Sequence, residues 1–275
     1  MEEQIRSIHN DQVKLWSSLQ TRKGRERSGA YLVEGAHLVA EALRSGAAAE
    51  AVLYVPGTAA VKELELLGFV PEHNTTGPRW ISVSEAVMDK ITEAQTPQGV
   101  AAVMKLPAPD LGKLLTYRLG VFVAVDAVQD PGNLGTIVRS ADAVGATAVL
   151  LGKGTVDMYN PKTVRSTMGS LFHIPIVSCD LAEAFPRMKE CGIKIAATSL
   201  AANNTCFEAD FTGPTCFLLG NEGAGVSAEL LALADETIII PIPGRAESLN
   251  VAMAATVLLY ETVRQRGYRS SASVT

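Results

Sequence analysis

The chain has 275 residues, 47% hydrophobic and 19% charged, with a net charge of −5. That balance excludes a disordered polymer and a protein that coats nucleic acid by bulk charge, although a local basic patch could still take RNA as a substrate. The length suits two domains, each large enough to bury a core. No stretch approaches the roughly 20 apolar residues of a membrane helix, and Met1-Glu-Glu-Gln-Ile-Arg6 contains no signal-peptide core. A cytoplasmic protein is therefore expected. Cys179, Cys191, Cys206 and Cys216 show no C-x-x-C spacing, and the four histidines are scattered, so reduced thiols and no metal site are expected.

In chain order, a helix is expected from about Asp11 to Gln20. Next comes the densest basic cluster, Arg22-Lys23-Gly24-Arg25-Glu26-Arg27, which reads either as a solvated loop or as a grip on a phosphate backbone. A strand over Ala30–Glu34 follows. Helical periodicity at Val39–Leu43 and Val61–Leu67 then alternates with strand-like Ala51–Val55 and Gly99–Met104, which makes residues 1–105 an α/β unit. Two prolines and a glycine in Leu106-Pro-Ala-Pro-Asp-Leu-Gly112 mark residues 106–120 as a linker.

From Val121 the alternation sharpens. Val121–Val125 reads as a buried strand, followed by a helix capped at Asn133 and stopped by Gly145. Thr147–Leu151 is the next strand, and Pro161–Met168 a helix opened by its proline. Strands are expected at Ile174–Val177, Ile193–Thr198, Cys216–Leu219 and Glu236–Ile240, with helices at Leu181–Cys191, Ser227–Ala234 and Ser248–Arg264. This pattern implies a parallel sheet covered on both faces over residues 121–275, with ligands at the carboxyl ends of its strands.

Three turns fall at those ends: Asp130-Pro-Gly-Asn-Leu-Gly-Thr-Ile-Val-Arg139, Leu219-Gly-Asn-Glu-Gly-Ala-Gly-Val-Ser227 and Ile240-Pro-Ile-Pro-Gly-Arg-Ala-Glu-Ser-Leu-Asn250. Each joins Gly or Pro to Asn, Glu, Arg or Ser, which exposes backbone polar groups beside side chains that can converge on one ligand. A dinucleotide site is the alternative, but Gly220, Gly223 and Gly225 are ordered G-x-x-G-x-G rather than G-x-G-x-x-G, and no Walker sequence occurs.

The same segments resemble the motifs of the SpoU (TrmH-type) branch of the SPOUT methyltransferases. Asn133 and Arg139 match the first motif; Gly220, Glu222, Gly223 and Gly225 the second; Ile240, Pro241, Gly244, Ser248, Leu249 and Asn250 the third. Asn160-Pro-Lys-Thr-Val-Arg-Ser-Thr-Met-Gly169 is also similar to the family. Tyr31-Leu-Val-Glu-Gly35 and Thr96-Pro-Gln-Gly-Val100 resemble, more loosely, the substrate-binding domain of its ribosomal-RNA members.

The resemblance implies methyl transfer from S-adenosyl-L-methionine to an RNA ribose 2′-hydroxyl, most readily in large-subunit ribosomal RNA. It also implies a deep trefoil knot, a small ribosomal-protein-like α/β RNA-binding domain ahead of the knotted domain, and a homodimer. Its alternatives are a transfer-RNA enzyme and a non-catalytic RNA-binding protein of the same fold. By the resemblance, Thr198, Leu219, Gly220, Asn221, Gly223, Ile240, Ile242, Gly244 and Leu249 hold the methyl donor, while Arg139, Asn133, Glu222, Ser248 and Asn250 serve the chemistry. Arg22, Lys23, Arg25, Arg27 and Arg165 would contact RNA. Because arginine stays protonated in ordinary protein environments, Arg139 is expected to stabilise alkoxide charge while an RNA phosphate or water takes the proton.

Overall fold

A computed structural model describes residues 3–69, 77–93 and 98–267. The chain divides into two compact units, 1–107 with 157–173, and 108–156 with 174–275. Residues 157–173, expected to belong with 121–275, thus pack with the first unit. Thr96 and Pro97 lie outside the described residues.

In the first unit, β1 (Glu3–Ile5), α1 (Asp11–Ser18), α2 (Arg22–Ser28), β2 (Ala30–Glu34), α3 (Ala36–Arg44), β3 (Ala49–Tyr54), α4 (Ala59–Leu66), β4 (Arg79–Val83), α5 (Glu85–Ile91) and β5 (Val100–Lys105) follow one another. The sheet order is β1-β4-β3-β5-β2, with β5 antiparallel to both its neighbours. Val13, Trp16, Leu53, Ile81, Met88 and Val103 are among its core residues. Alternation did not reveal β1 or β4, since the first is three residues long and the second begins with exposed Arg79.

The basic cluster is helical rather than a loop, capped by the Thr21 hydroxyl, which accepts from Gly24 N–H at 3.1 Å. Arg25 corrects an expectation. It is 3% exposed, so it does not present its charge to RNA. Its Nη1 donates to the Leu19 and Gln20 carbonyls at 2.6 and 3.0 Å, and its Nη2 pairs with Asp157. Arg25 therefore closes the end of α1 and anchors residues 157–173. Lys23 and Arg27 remain exposed, and Arg22 pairs with Glu26 on the helix surface at 2.8 Å.

The second unit contains α6 (Leu111–Leu114), β6 (Val121–Val125), α7 (Pro131–Ala143) and β7 (Ala148–Leu151). The chain then passes through α8 (Pro161–Ser166), which belongs to the first unit, and returns as β8 (Ile176–Ser178), α9 (Leu181–Glu190) and β9 (Lys194–Thr198). The last elements are β10 (Asn204–Thr205), β11 (Thr215–Leu219), α10 (Ala228–Leu231), β12 (Glu236–Ile239) and α11 (Val251–Arg266).

The seven strands run in the order β10-β12-β9-β11-β6-β7-β8, and every pair is parallel. Unbroken burial of Val121–Val125 and Thr215–Leu219 is what a sheet covered on both faces requires. The expected linker is partly structured, because Leu111 and Leu114 of α6 and buried Leu115 pack on this core. No helix among the described residues is long and apolar enough to cross a membrane.

Replacing Arg25 with Met should strand the Asp157 carboxylate and uncap α1. The loss is expected to be about 3 kcal/mol, read as a lower urea midpoint for unfolding of the first unit. Arg22→Met, which removes only an exposed pair, should shift that midpoint far less.

Candidate active site

The carboxyl ends of β6 and β11 are adjacent because these two strands are paired in register, Val125 opposite Leu219. The chain turns sharply after each. At Gly220 an added Cβ would lie 2.0 Å from the carbonyl carbon of Gly225, so only glycine lets the loop close on itself. Asn221 and Gly225 then exchange two backbone hydrogen bonds of 2.9 Å each. The Asn221 side chain is engaged at both ends. Its Oδ1 accepts from Gly223 and Ala224 N–H at 2.9 and 3.0 Å, and its Nδ2 donates to the Ala127 carbonyl at 2.8 Å.

Glu222 reaches the neighbouring loop. Its carboxylate accepts from Gln129 N–H at 3.2 Å, Asp130 N–H at 3.1 Å and Asn133 Nδ2 at 2.9 Å. Partial burial pushes the carboxyl up, but these donors outweigh it and hold Glu222 below its ordinary value. Asn133 in turn accepts at Oδ1 from Asn250 Nδ2 at 2.9 Å. Asn250 also caps α11 through Oδ1, which accepts from Ala252 N–H at 2.9 Å. One polar chain, Asn250–Asn133–Glu222, therefore joins the three turns.

The cap of α7 differs from expectation. Asp130, not Asn133, is the N-cap, and its Oδ1 accepts from Asn133 N–H at 2.7 Å with Pro131 in the first turn. The cue was present in the sequence as Asp immediately before Pro. Because Asp130 does the capping, the Asn133 amide is free to bridge Glu222 and Asn250. Asp126, also overlooked, accepts from Ser227 N–H at 2.8 Å.

Arg139 projects from α7 between buried Val138 and Ser140, whose hydroxyl meets that of Thr256 in α11 at 2.7 Å. Arg139 is exposed, and among the described residues no carboxylate pairs with it. Ser248 is also exposed, and among the described residues no hydrogen bond joins it to the chain of amides. Thr198 donates its hydroxyl to the Leu218 carbonyl at 3.2 Å.

The third turn is irregular, with Ile240 and Ile242 half-buried, Gly244 exposed and Leu249 40% exposed. Among the described residues, no backbone N–H from Ile242 to Leu249 finds an acceptor. A strip of open backbone donors and acceptors beside partly exposed Ile and Leu fits an adenosyl group, which offers ring acceptors, an amine and an apolar face.

The expected RNA residues all belong to the first unit. Arg22, Lys23 and Arg27 are on the surface of α2, whereas Arg25 is internal. Arg165 of α8 is half-exposed, with Nη1 3.8 Å from Glu34 Oε2. Among the described residues, no group of His, Cys, Asp and Glu could hold a metal ion.

Residues 120–260 match the model of the SpoU rRNA Methylase family, and residues 10–102 that of an MRM3-like substrate binding domain. The chain is 42% identical over 257 residues to a 23S rRNA (guanosine(2553)-2′-O)-methyltransferase of Bacillus subtilis, covering 94% of this chain and 98% of that one. It is 35% identical to a 23S rRNA (uridine(2479)-2′-O)-methyltransferase of Streptomyces viridochromogenes, with 94% and 91% covered. Among solved structures, the SpoU methyltransferase AviRb of S. viridochromogenes in complex with AdoMet superposes with a TM-score of 0.83 at 35% identity, covering 94% of this chain and 98% of that one. An AdoMet-bound rRNA methyltransferase of Sinorhizobium meliloti gives 0.82 at 34%, with 95% and 97% covered.

A carboxyl held below its ordinary value stabilises the fold above pH 4.5, the unperturbed Glu value, and that contribution disappears as pH falls through the lower folded value. Wild type should therefore exceed Glu222→Gln in thermal stability at neutral pH. The difference should shrink as the medium is acidified below the ordinary carboxylate range, followed by melting curves across that range.

Proposed function

This chain belongs to the SpoU rRNA methylase family and is an S-adenosylmethionine-dependent ribosomal-RNA ribose 2′-O-methyltransferase, and we propose that its substrate lies in large-subunit RNA and that Arg139 is its central catalytic residue. The observation that carries the assignment to Arg139 is the Asn250–Asn133–Glu222 chain. It fixes the start of α7 against the other two turns, and the same helix carries a guanidinium that no carboxylate pairs among the described residues.

S-Adenosylmethionine, when bound, supplies a methyl group on a sulfonium, with a neutral thioether as leaving group. The open backbone from Ile242 to Leu249, together with Ile240, Leu219, Gly220 and Gly223, would hold its adenosyl and amino-acid parts. Exposed Arg139 would stabilise the negative charge that develops on the ribose 2′-oxygen as its O–H bond weakens. Transfer would form the O–CH3 bond as the S–CH3 bond breaks. The hydroxyl proton passes to an RNA phosphate or to water, because a permanently charged guanidinium has no site for it. Asn133, Glu222 and Asn250 would orient these parts, and exposed Ser248 would contribute a hydroxyl on the ribose side.

The first unit would recognise the RNA through Lys23, Arg27 and Arg22 on α2 and through Arg165. Family membership supports a knotted second unit and a cytoplasmic homodimer. The side of α11 with Ala255, Leu258 and Leu259 is buried within the chain, so the surface for a partner is the one bearing Leu249, Met253 and Tyr260, which are 40%, 48% and 53% exposed.

Arg139→Ala should reduce tritium transfer from labelled S-adenosylmethionine to 23S rRNA by at least about a hundredfold, while calorimetry shows S-adenosylhomocysteine binding retained. Full residual activity would remove Arg139 from the mechanism. Transfer to bulk tRNA exceeding transfer to 23S rRNA would reverse the substrate assignment. Light scattering should report twice the chain mass, and an active monomer would exclude the dimer.

A further inference from the structure

Ala127 has φ +55°, in the left-handed region that a residue with a Cβ rarely adopts. It opens the short loop that delivers the chain from β6 to the Asp130 cap of α7. Two consecutive side chains of the opposite turn fasten this loop. Glu222 accepts from the N–H groups of Gln129 and Asp130, and Asn221 donates to the carbonyl of Ala127 itself. With Oδ1 taken by Gly223 and Ala224 and Nδ2 directed at Ala127, the Asn221 amide has its oxygen and one N–H committed within the protein.

We propose that Asn221 is a positioning residue: it holds Ala127 in its strained conformation and so sets the entry of α7, and with it the place of Arg139, rather than contacting the methyl donor through its side chain. The proposal rests on the reading of Arg139 given above. The left-handed conformation is strained for a residue with a Cβ, and without the Asn221 hydrogen bond that strain would be released by rotation of the loop. The bond is thus needed for a loop geometry that the local sequence disfavours.

Asn221→Asp separates the two jobs of the amide. The carboxylate keeps an oxygen for Gly223 and Ala224 N–H, so the turn still closes, but it cannot donate to the Ala127 carbonyl and repels it. Asn221→Asp and Asn221→Ala are both expected to lower kcat at saturating S-adenosylmethionine by about tenfold or more, equivalent to about 1.4 kcal/mol. The affinity for S-adenosylhomocysteine, by calorimetry, should change less than about threefold, roughly 0.6 kcal/mol. Amide exchange at Gln129 and Asp130 should accelerate in both variants, a readout independent of turnover. Adding Ala127→Gly to Asn221→Ala should recover part of the rate, because glycine adopts the left-handed conformation without a clamp.

Wild-type kcat and exchange in Asn221→Asp would overturn the proposal. So would a large loss of S-adenosylhomocysteine affinity with kcat intact at saturation, which would make Asn221 a donor contact. If Arg139→Ala is fully active while loop exchange still rises in Asn221→Asp, the role of Arg139 fails but the clamp on Ala127 stands.

Discussion

The Glu222 carboxylate is the group on which the site depends. It lies on one turn, takes two main-chain N–H groups from a second, and through Asn133 reaches the third. A carboxylate suits this place because it offers several lone pairs and donates nothing, so one side chain can gather donors from segments 89–93 residues apart in sequence. Those donors also explain why it stays ionised despite partial burial.

Around that anchor the division of labour is physical. Side-chain amides carry directional bonds between loops, as Asn133, Asn221 and Asn250 show, since each has a donor and an acceptor to use in different directions. The backbone of the third turn stays open, which is what a ligand rich in donors and acceptors needs. The cation on α7 is left without a counter-ion among the described residues, so its charge is available to an anion that develops during reaction. Neutralising Arg139 with a protein carboxylate would have cancelled that field.

The first unit shows a different use of charge. Arg25 belongs to the most basic stretch of the chain but is turned inward, on two helix-end carbonyls and Asp157. Its neighbours Lys23 and Arg27 face solvent. Composition alone treats all these cations as equivalent. In a helix of seven residues, however, adjacent positions point in different directions, so one was buried while the others stayed out. The loop expectation for this segment failed because charge density says little about helical propensity, and arginine and lysine are good helix formers.

Periodicity disclosed most strands of the parallel sheet, because strands buried on both faces must be continuously apolar, and the three polar turns were legible from their Gly, Pro, Asn and Glu content. The helix starting near Asn133 was legible too, but its cap was displaced to Asp130, a shift with chemical consequences. Local sequence determined the elements, the parallel class and the residue types available for chemistry. Only the tertiary structure decided that residues 157–173 pack with the first unit, that Arg25 is internal, that Asn221 reaches Ala127, and that Glu222 gathers the other two turns. Those outcomes depend on contacts between segments far apart in the chain, whose register and distance no local pattern encodes.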